Sequence, residues 1–294
     1  MPTAVVNGPG YLQAGQRLVD SLLKSYTPSD DIEPKSLHAA MRYSLLAGGK
    51  RLRPILALAT YEYCGGSTAQ DSGRIHSAMA AIEMVHTYSL IHDDLPCMDD
   101  DDLRRGIPTC HKKFGEALAV LAGDALHDVA FRLMAQTGSI PAVIELAEAV
   151  GTSGMLGGQV ADIEAEGKPV TKSDVIKIHT RKTGALIRSS VRIGAILTDA
   201  DEKKLALLTA YGERIGLAFQ IIDDILDIQG DQRKLGKKVG SDCKNQKATY
   251  PSAVGIEEAR RDAEQLIDEA LALVDGGDDN MLKFLARFIG QRER

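Results

Sequence analysis

The chain has no tryptophan, and aromatic residues make up only 4% of its 294 residues. Strands favour aromatic and β-branched side chains, so this scarcity argues against a β-rich fold and favours helices. The few cysteines (Cys64, Cys97, Cys110 and Cys243) are scattered and form no Cys-x-x-Cys pair. This spacing argues against a disulfide framework and against a zinc site, and it predicts a reduced, cytoplasmic protein.

Excess basic charge is also absent, because 35 Lys and Arg stand against 41 Asp and Glu, for a net charge of −6. Such a chain has no net positive field to attract nucleic acid or an anionic membrane. No apolar run approaches the roughly 20 residues of a membrane span. The first ten residues lack the charged start and apolar core of a signal peptide. We therefore expect a soluble protein with no nucleic-acid partner and no membrane insertion.

Proline is missing from 55–95, 170–250 and 252–294, which leaves room for long helices because proline breaks helix interiors. Apolar residues recur in these stretches at helical spacing. The pattern predicts helices at roughly 11–25, 35–47, 54–64, 72–95, 113–136, 141–165, 173–195, 201–228, 252–274 and 279–291. Because no alternating strand and no linker stands out, we expect one all-α domain over residues 1–294.

Two acidic motifs end two of these largely apolar helices. They contain Asp93, Asp94 and Asp99 in the first and Asp223, Asp224 and Asp227, preceded by Gln220, in the second. Gln220, Asp223 and Asp227 are three and four residues apart and share one helical face. Crowded carboxylates repel each other unless a cation compensates them, and Mg²⁺ prefers such oxygens together with water and substrate phosphate. An acidic run alone is usually a solvated face, but two such motifs together favour a shared metal site.

Basic residues lie at turns near the same motifs. They are Lys50 and Arg53 in the loop 48–54, Arg104 and Arg105 after the first motif, Lys182 within a helix, and Lys237 and Lys247 after the second motif. Free N–H groups at helix starts and the guanidinium fork both suit phosphate. The combination predicts anchors for a phosphate-bearing substrate.

Sequence motifs for other chemistries are missing. There is no G-x-S-x-G, H-E-x-x-H, P-loop or G-x-G-x-x-G in the required context. The pairs His92-Asp93 and His127-Asp128 leave open a helical metal-dependent phosphohydrolase. That alternative would leave the second acidic motif, 223–227, unexplained.

In this order, the motifs resemble those of the trans-isoprenyl diphosphate synthases. The matching segments are Gly-Gly-Lys-Arg-Leu-Arg-Pro at 48–54, the first acidic motif leading to Arg104-Arg105-Gly, Lys-Thr-Gly at 182–184, and Phe-Gln-x-x-Asp-Asp-x-x-Asp at 219–227. The resemblance covers about residues 35–255. The stretch 89–106, with two extra residues inside its acidic motif, is most similar to bacterial members that make a C15 product.

The resemblance implies a fold and a set of site residues. The fold is a bundle of about ten or more mostly antiparallel helices around a deep central cavity, usually as a homodimer. With substrate bound, about three Mg²⁺ ions would be held by Asp93, Asp94, Asp99, Asp223, Asp224 and Asp227, which with Arg104 and Lys182 form the catalytic group. The allylic diphosphate would contact Arg104, Lys182, Thr183, Gln220, Lys237 and Lys247, and isopentenyl diphosphate would contact Lys50, Arg53, His86 and Arg105.

The implied reaction condenses isopentenyl diphosphate with dimethylallyl or geranyl diphosphate, giving farnesyl diphosphate and pyrophosphate. Tyr88 lies five positions before Asp93, about 7.5 Å down the helix at 1.5 Å per residue. A bulky side chain there resembles the floor that stops elongation at C15, with a C20 product as the alternative. Terpene cyclases, which would not need the 48–54 loop, and non-catalytic partner subunits, which typically lose aspartates, are the remaining alternatives.

Overall fold

A computed structural model of the protein describes residues 8–229, 248–277 and 279–291. Helices dominate it, so the all-α prediction is confirmed. The helices are α1 (Gly8–Tyr26), α2 (Lys35–Leu45), α3 (Leu52–Tyr63), α4 (Ser72–Asp93), α5 (Cys110–Phe114), α6 (Glu116–Gln136), α7 (Ile140–Val150), α8 (Met155–Ala165), α9 (Lys172–His179), α10 (Ala185–Ile196), α11 (Glu202–Gln229), α12 (Tyr250–Val254), α13 (Ile256–Leu273) and α14 (Met281–Gly290).

Glycines interrupt three segments that the periodicity predicts as continuous helices. Gly115 (φ 86°) separates α5 from α6, and Gly255 (φ 85°) separates α12 from α13. Both take the left-handed backbone region that glycine adopts without steric cost. Gly154 lies in the break between α7 and α8, where a Cβ would stand 2.1 Å from the carbonyl oxygen of Ala149. The predictions of single helices over 113–136, 141–165 and 252–274 are therefore wrong.

The predicted helix 173–195 departs from α geometry in one turn. Thr171 and Asp174 form a capping box that starts α9. After α9, Thr180–Gly184 form a π-helical turn before α10 begins. Such turns are frequent at functional sites, and this one contains Lys182 and Thr183.

The described residues contain one small hairpin, where the sequence predicts no strand. Its strands, β1 (Leu103–Arg104) and β2 (Ile107–Pro108), pair antiparallel. Both turn residues have positive φ, 54° at Arg105 and 79° at Gly106, as a two-residue type I′ hairpin turn requires. Strands of two residues are too short to show an alternating pattern. The hairpin places the two arginines, Arg104 in β1 and Arg105 in the turn, directly after the first acidic motif.

Two long helices carry the acidic motifs into the bundle. Helix α4 packs against α3 and α6, and α11 packs against α10 and α13. The apolar stripe of α11 is buried, since Leu208, Tyr211, Ile215 and Ala218 have no exposed surface. Apolar packing therefore fixes both helices, and the carboxylates at their ends are held in place by it.

Helix α11 is also the one described helix that is long and apolar enough to cross a membrane, over Glu202–Ile228 with a mean hydropathy of 1.3. The core helix of a soluble bundle passes the same test. Three aspartates in the last turns of α11 would be costly inside a bilayer. Because the helix packs between α10 and α13, it serves here as a bundle helix.

Candidate active site

A cavity of about 560 Å³ lies between α4, α8, the π-helical turn and α11. Its volume is within the range of small-molecule sites. The predicted residues that line it are Arg53, His86, Tyr88, Asp93, Arg104, Arg105, Lys182, Thr183, Gln220 and Asp223. The first aspartate of each acidic motif therefore faces the same space, as the sequence predicts.

The other predicted residues lie around this lining or outside the described part of the chain. Lys50 is exposed, whereas Asp94, Asp224 and Asp227 are buried. Asp99 is half-buried in the loop after α4. Lys237 and Lys247 fall within 230–247, outside the described residues, so their roles stay predictions.

The first acidic motif is folded back on the end of α4. The backbone N–H of Asp99 donates to the carbonyl oxygen of Asp93 at 2.8 Å, which brings the two aspartates to the same helix end. Asp94 is 3% exposed and accepts a hydrogen bond from Nε of Arg104 at 2.7 Å. The hairpin arginine thus holds one of the three carboxylates, and Asp93 faces the cavity.

Burial makes these carboxylates reluctant to ionise. It raises the pKa of Asp93 to about 6, despite the attraction of Lys182, and the charge of Asp99 raises it further. Burial also raises the pKa of Asp94 to about 6, against the lowering effect of the Arg104 hydrogen bond. A divalent cation between them would relieve this cost, because it stabilises the ionised form.

Within the described residues, the second acidic motif has a buried carboxylate without a hydrogen-bond partner. Asp227 is 4% exposed, and neither of its carboxylate oxygens has a hydrogen-bond partner among the described residues. A buried charge is costly unless it is paired or binds a metal, so this aspartate fits Mg²⁺. Within the described ranges no three acidic, His or Cys side chains converge closely enough to hold a metal alone. Diphosphate and water oxygens would have to complete the coordination, as is usual for Mg²⁺.

Asp224 is fully engaged with protein donors. Its Oδ2 lies 2.8 Å from Nε2 of His179 and accepts from the backbone N–H of Tyr250 at 2.8 Å. Its Oδ1 accepts from Nε2 of Gln220 at 2.8 Å. Gln220 in turn accepts from the hydroxyl of Thr183 at 2.7 Å. With both oxygens occupied, Asp224 supports the cavity wall and leaves the cavity itself to Asp223.

Lys182 reaches the cavity from the π-helical turn. Its ammonium group donates to Oδ2 of Asp162 at 2.6 Å. Helix α8 approaches the turn closely at Gly158, where a Cβ would lie 2.2 Å from the backbone nitrogen of Lys182. Asp162, and Gln159, which lines the cavity, are not among the residues predicted from the sequence. The signal for them is their spacing of three residues, which puts both on one face of α8.

A basic part of the cavity lining, here called the basic wall, is formed by Arg53, His86 and Arg105. Nη1 of Arg53 lies 3.4 Å from Nε2 of His86. Burial lowers the pKa of His86 well below its usual value, and the nearby arginines lower it further. The imidazole is therefore neutral at physiological pH, and its Nε2 can accept from Arg53. Arg105 donates to the carbonyl oxygen of Gly48, which ties the hairpin to the 48–54 loop.

Tyr88 lies on the part of the cavity wall one and a half turns before Asp93. It is 6% exposed, and its ring packs edge-to-face on His127, with centroids 5.1 Å apart, and on His92, at 5.8 Å. The two histidines are therefore packing partners of Tyr88. This arrangement does not support the phosphohydrolase alternative, which needs imidazoles gathered around a metal.

Comparison with known proteins gives the class to which this fold and site belong. Residues 34–287 match the family described as polyprenyl synthetase. Because the match covers most of the chain, the protein belongs to the polyprenyl synthetase family.

Individual relatives are similar over nearly their whole length. Farnesyl diphosphate synthase of Bacillus subtilis is 48% identical over 274 residues, covering 90% of this chain and 91% of the relative. Geranylgeranyl diphosphate synthase of Cyanophora paradoxa is 47% identical over 268 residues, covering 88% and 87%. A Helicobacter pylori geranyltransferase, solved in complex with magnesium and isoprenyl diphosphate, superposes with a TM-score of 0.83 at 31% identity, covering 97% and 96%.

Proposed function

We propose that this chain is a farnesyl diphosphate synthase. It condenses isopentenyl diphosphate with dimethylallyl and then geranyl diphosphate, releasing pyrophosphate each time. The observation that carries the proposal is one cavity that has an acidic end at Asp93 and Asp223 and a separate basic wall at Arg53 and Arg105. Two diphosphates, of which only one must leave, require two such different anion sites. The similarity to the farnesyl diphosphate synthase of B. subtilis supports the same reaction class.

The allylic diphosphate is placed at the acidic end. Arg104, Lys182, Thr183 and Gln220 contact it, together with Lys237 and Lys247. Asp93, Asp99, Asp223 and Asp227 would hold about three Mg²⁺ ions. Of the six aspartates predicted as ligands, Asp94 and Asp224 are bonded to Arg104 and His179 and would orient their neighbours. When bound, Mg²⁺ neutralises the negative charge that develops on the leaving diphosphate. The H. pylori relative with magnesium and isoprenyl diphosphate supports this cofactor.

Isopentenyl diphosphate occupies the basic wall formed by Lys50, Arg53, His86 and Arg105. This placement sets its double bond towards the allylic carbon. Once the carbon–oxygen bond of the allylic diphosphate has broken, that double bond attacks the allylic cation. Among the described residues, the lining offers the cation no thiol and no lysine other than Lys182, which the ion pair with Asp162 holds. Apolar side chains such as Leu186 and Phe219 exclude the water that would quench it. The departing pyrophosphate takes the proton released when the new double bond forms.

Product length is set by Tyr88. Relatives that make C15 and C20 products are almost equally similar to this chain, at 48% and 47% identity, so overall similarity does not separate the two. The buried tyrosine, backed by His92 and His127, closes the cavity in the direction of chain growth. This supports farnesyl diphosphate, with geranylgeranyl diphosphate as the alternative product.

The enzyme is a soluble, cytoplasmic homodimer in which residues 1–294 form one domain. An exposed apolar face on α6 and α7, with Leu121 52% exposed and Ile144 51% exposed, supports a second copy as the partner. Sedimentation should give twice the chain mass, and Leu121→Glu should shift the protein to monomer. A monomeric wild type would contradict the dimer.

A substrate titration tests the two-site proposal. Purified protein is mixed with Mg²⁺, dimethylallyl or geranyl diphosphate and isopentenyl diphosphate, and products are separated by chain length. Arg53→Ala or Arg105→Ala should weaken the binding of isopentenyl diphosphate more than the binding of the allylic substrate. Lys182→Ala should have the reverse effect. Each variant loses a charge-assisted contact of roughly 1.5–3 kcal/mol. Equal losses for both substrates in every variant would refute separate sites, and the absence of product would refute the activity.

A further inference from the structure

Three basic residues lie together where the loop from α2 enters α3, yet one of them turns away from solvent. Lys50 is exposed and Arg53 lines the cavity, whereas the side chain of Arg51 has no exposed surface. Arg51 also takes a left-handed backbone conformation, with φ 50° and ψ 31°. Non-glycine residues adopt this region only when their surroundings hold them there.

The guanidinium of Arg51 joins three helices to that loop. Its Nη1 donates to Oε1 of Glu83 on α4 at 2.7 Å, and its Nε donates to Oδ1 of Asp20 on α1 at 3.0 Å. Its Nη2 donates to the carbonyl oxygen of Leu45, the last residue of α2, at 2.8 Å. The Glu83 side chain is 2% exposed and that of Asp20 is 44% exposed. Glu83 is therefore the desolvated partner, and it is the one that needs a compensating charge.

Because its three nitrogens are each bonded within the protein and its side chain has no exposed surface, Arg51 offers no accessible donor to a diphosphate. Its contacts nevertheless connect directly to the basic wall. Glu83 precedes His86 by three residues, so both lie on one face of α4. Arg53 follows Arg51 by two residues and reaches His86. At the other end of the loop, a Cβ at Gly49 would lie 2.9 Å from the guanidinium of Arg105. The loop is therefore fitted against α4 and the hairpin at the same time.

We propose that Arg51 is a positioning residue for the isopentenyl diphosphate site. Its ion pair with Glu83 fixes the 48–54 loop against α4, so that Lys50, Arg53 and Arg105 are held at one spacing before substrate arrives. Arg51 itself does not bind the diphosphate. The inference rests on the proposed function, because it assigns a part to that same site.

The informative variant is the double replacement Arg51→Met with Glu83→Gln. Arg51→Met alone leaves a buried unpaired carboxylate, which is strongly destabilising. The double variant removes both charges and keeps the approximate side-chain volumes. Arg17→Met with Glu264→Gln makes the same change at two exposed positions and is the matched control. For each protein, KM for isopentenyl diphosphate, KM for geranyl diphosphate, kcat and the unfolding temperature are measured.

We expect the double variant to fold with an unfolding temperature close to that of the wild type. Its KM for isopentenyl diphosphate should rise about tenfold to a hundredfold, since small misplacements of binding groups have effects of this size. Its KM for geranyl diphosphate should change less than about threefold, and the control variant should match the wild type in both constants. Glu83→Gln alone should also weaken the binding of isopentenyl diphosphate, seen as a higher KM.

Three results would overturn the proposal. The first is a double variant with wild-type stability and a wild-type KM for isopentenyl diphosphate, which would make the ion pair purely structural. The second is an equal rise in both KM values. The third is tighter isopentenyl diphosphate binding by Glu83→Gln, which would mean that the released Arg51 binds the diphosphate directly. Condensation by the wild type in the same assay tests the proposed function separately, because only the variants bear on Arg51.

Discussion

Replacing Asp93 by asparagine is expected to stabilise the metal-free protein while destroying catalysis. The side chain keeps its shape and loses only its charge. In the folded protein, burial raises the pKa of Asp93 from its usual 3.8 to about 6. The folded state therefore holds this proton more tightly than the unfolded state does, and ionising the group weakens the fold.

The size and sign of the effect follow from that shift. About two pKa units at 1.36 kcal/mol each correspond to about 2–3 kcal/mol. The stabilising contribution of the protonated group is complete below about pH 4 and is lost as pH rises through 6. At pH 7.5 the wild type is therefore less stable than Asp93→Asn by about 2–3 kcal/mol, or roughly 5 °C in unfolding temperature. At pH 5, which lies between the two pKa values, about half of the difference remains.

Thermal unfolding in EDTA at pH 7.5 and pH 5 measures this difference. Asp268→Asn, at an exposed position on α13, is the control and should match the wild type at both pH values. Adding Mg²⁺ with pyrophosphate should stabilise the wild type and have much less effect on Asp93→Asn, because a ligand stabilises only the state that binds it. An Asp93→Asn protein that is no more stable than the wild type in EDTA at pH 7.5, or a difference that does not change with pH, would refute the reasoning.

Tyr88→Ala should lengthen the product without slowing the first condensation, because the ring lies away from the proposed diphosphate sites. Tyr88→Phe should keep the wild-type product length. An unchanged product length in Tyr88→Ala would show that another residue stops elongation. Asp223→Ala should lower turnover by several orders of magnitude with unchanged helix content by circular dichroism, and near-wild-type activity in Mg²⁺ would contradict a two-motif site. His179→Leu should raise the Mg²⁺ concentration for half-maximal activity about tenfold or more, since Asp224 loses one of its orienting donors. His179→Gln should bring this concentration part of the way back to the wild-type value. An unchanged Mg²⁺ requirement in His179→Leu would show that the contact is not needed.

The sequence predicts the cavity-facing residues well where charge and helical spacing act together. Asp93 ends one apolar helix and Asp223 lies in the last turns of another. Because the packing face of both helices can be predicted from the apolar spacing, their convergence on one cavity could be expected. Asp224 is different, because the next position on a helix is turned by about 100°. In that direction Asp224 contacts His179 and Tyr250, which lie 45 and 26 residues away along the chain. Contacts of that kind are fixed by tertiary packing and leave no local pattern.

Helix interruptions are a second feature that could not be predicted from the sequence. Gly115 and Gly255 end helices through a positive φ, yet Gly123 and Gly158 lie inside helices that continue, because neighbouring elements need the space of a side chain there. A glycine in an apolar periodic segment is compatible with either outcome. The π-helical turn at Thr180–Gly184 likewise lacks a proline or a change in periodicity that would predict it.

Charge compensation explains why the two diphosphate sites should behave differently before substrate arrives. At Arg51 a buried carboxylate and a buried guanidinium already neutralise each other, so we expect the proposed isopentenyl diphosphate pocket to be formed in the empty protein. At the acidic ends, the oxygens of Asp227 have no hydrogen-bond partner among the described residues and the pKa of Asp93 is raised, so we expect negative charge there that a bound cation would compensate. Functional sites are where such local conflicts are retained. Removing charge should therefore have opposite effects at the two places: Arg51→Met should lower the unfolding temperature in EDTA at pH 7.5, and Asp93→Asn should raise it. Shifts of the same sign would show that the two sites do not differ in this way.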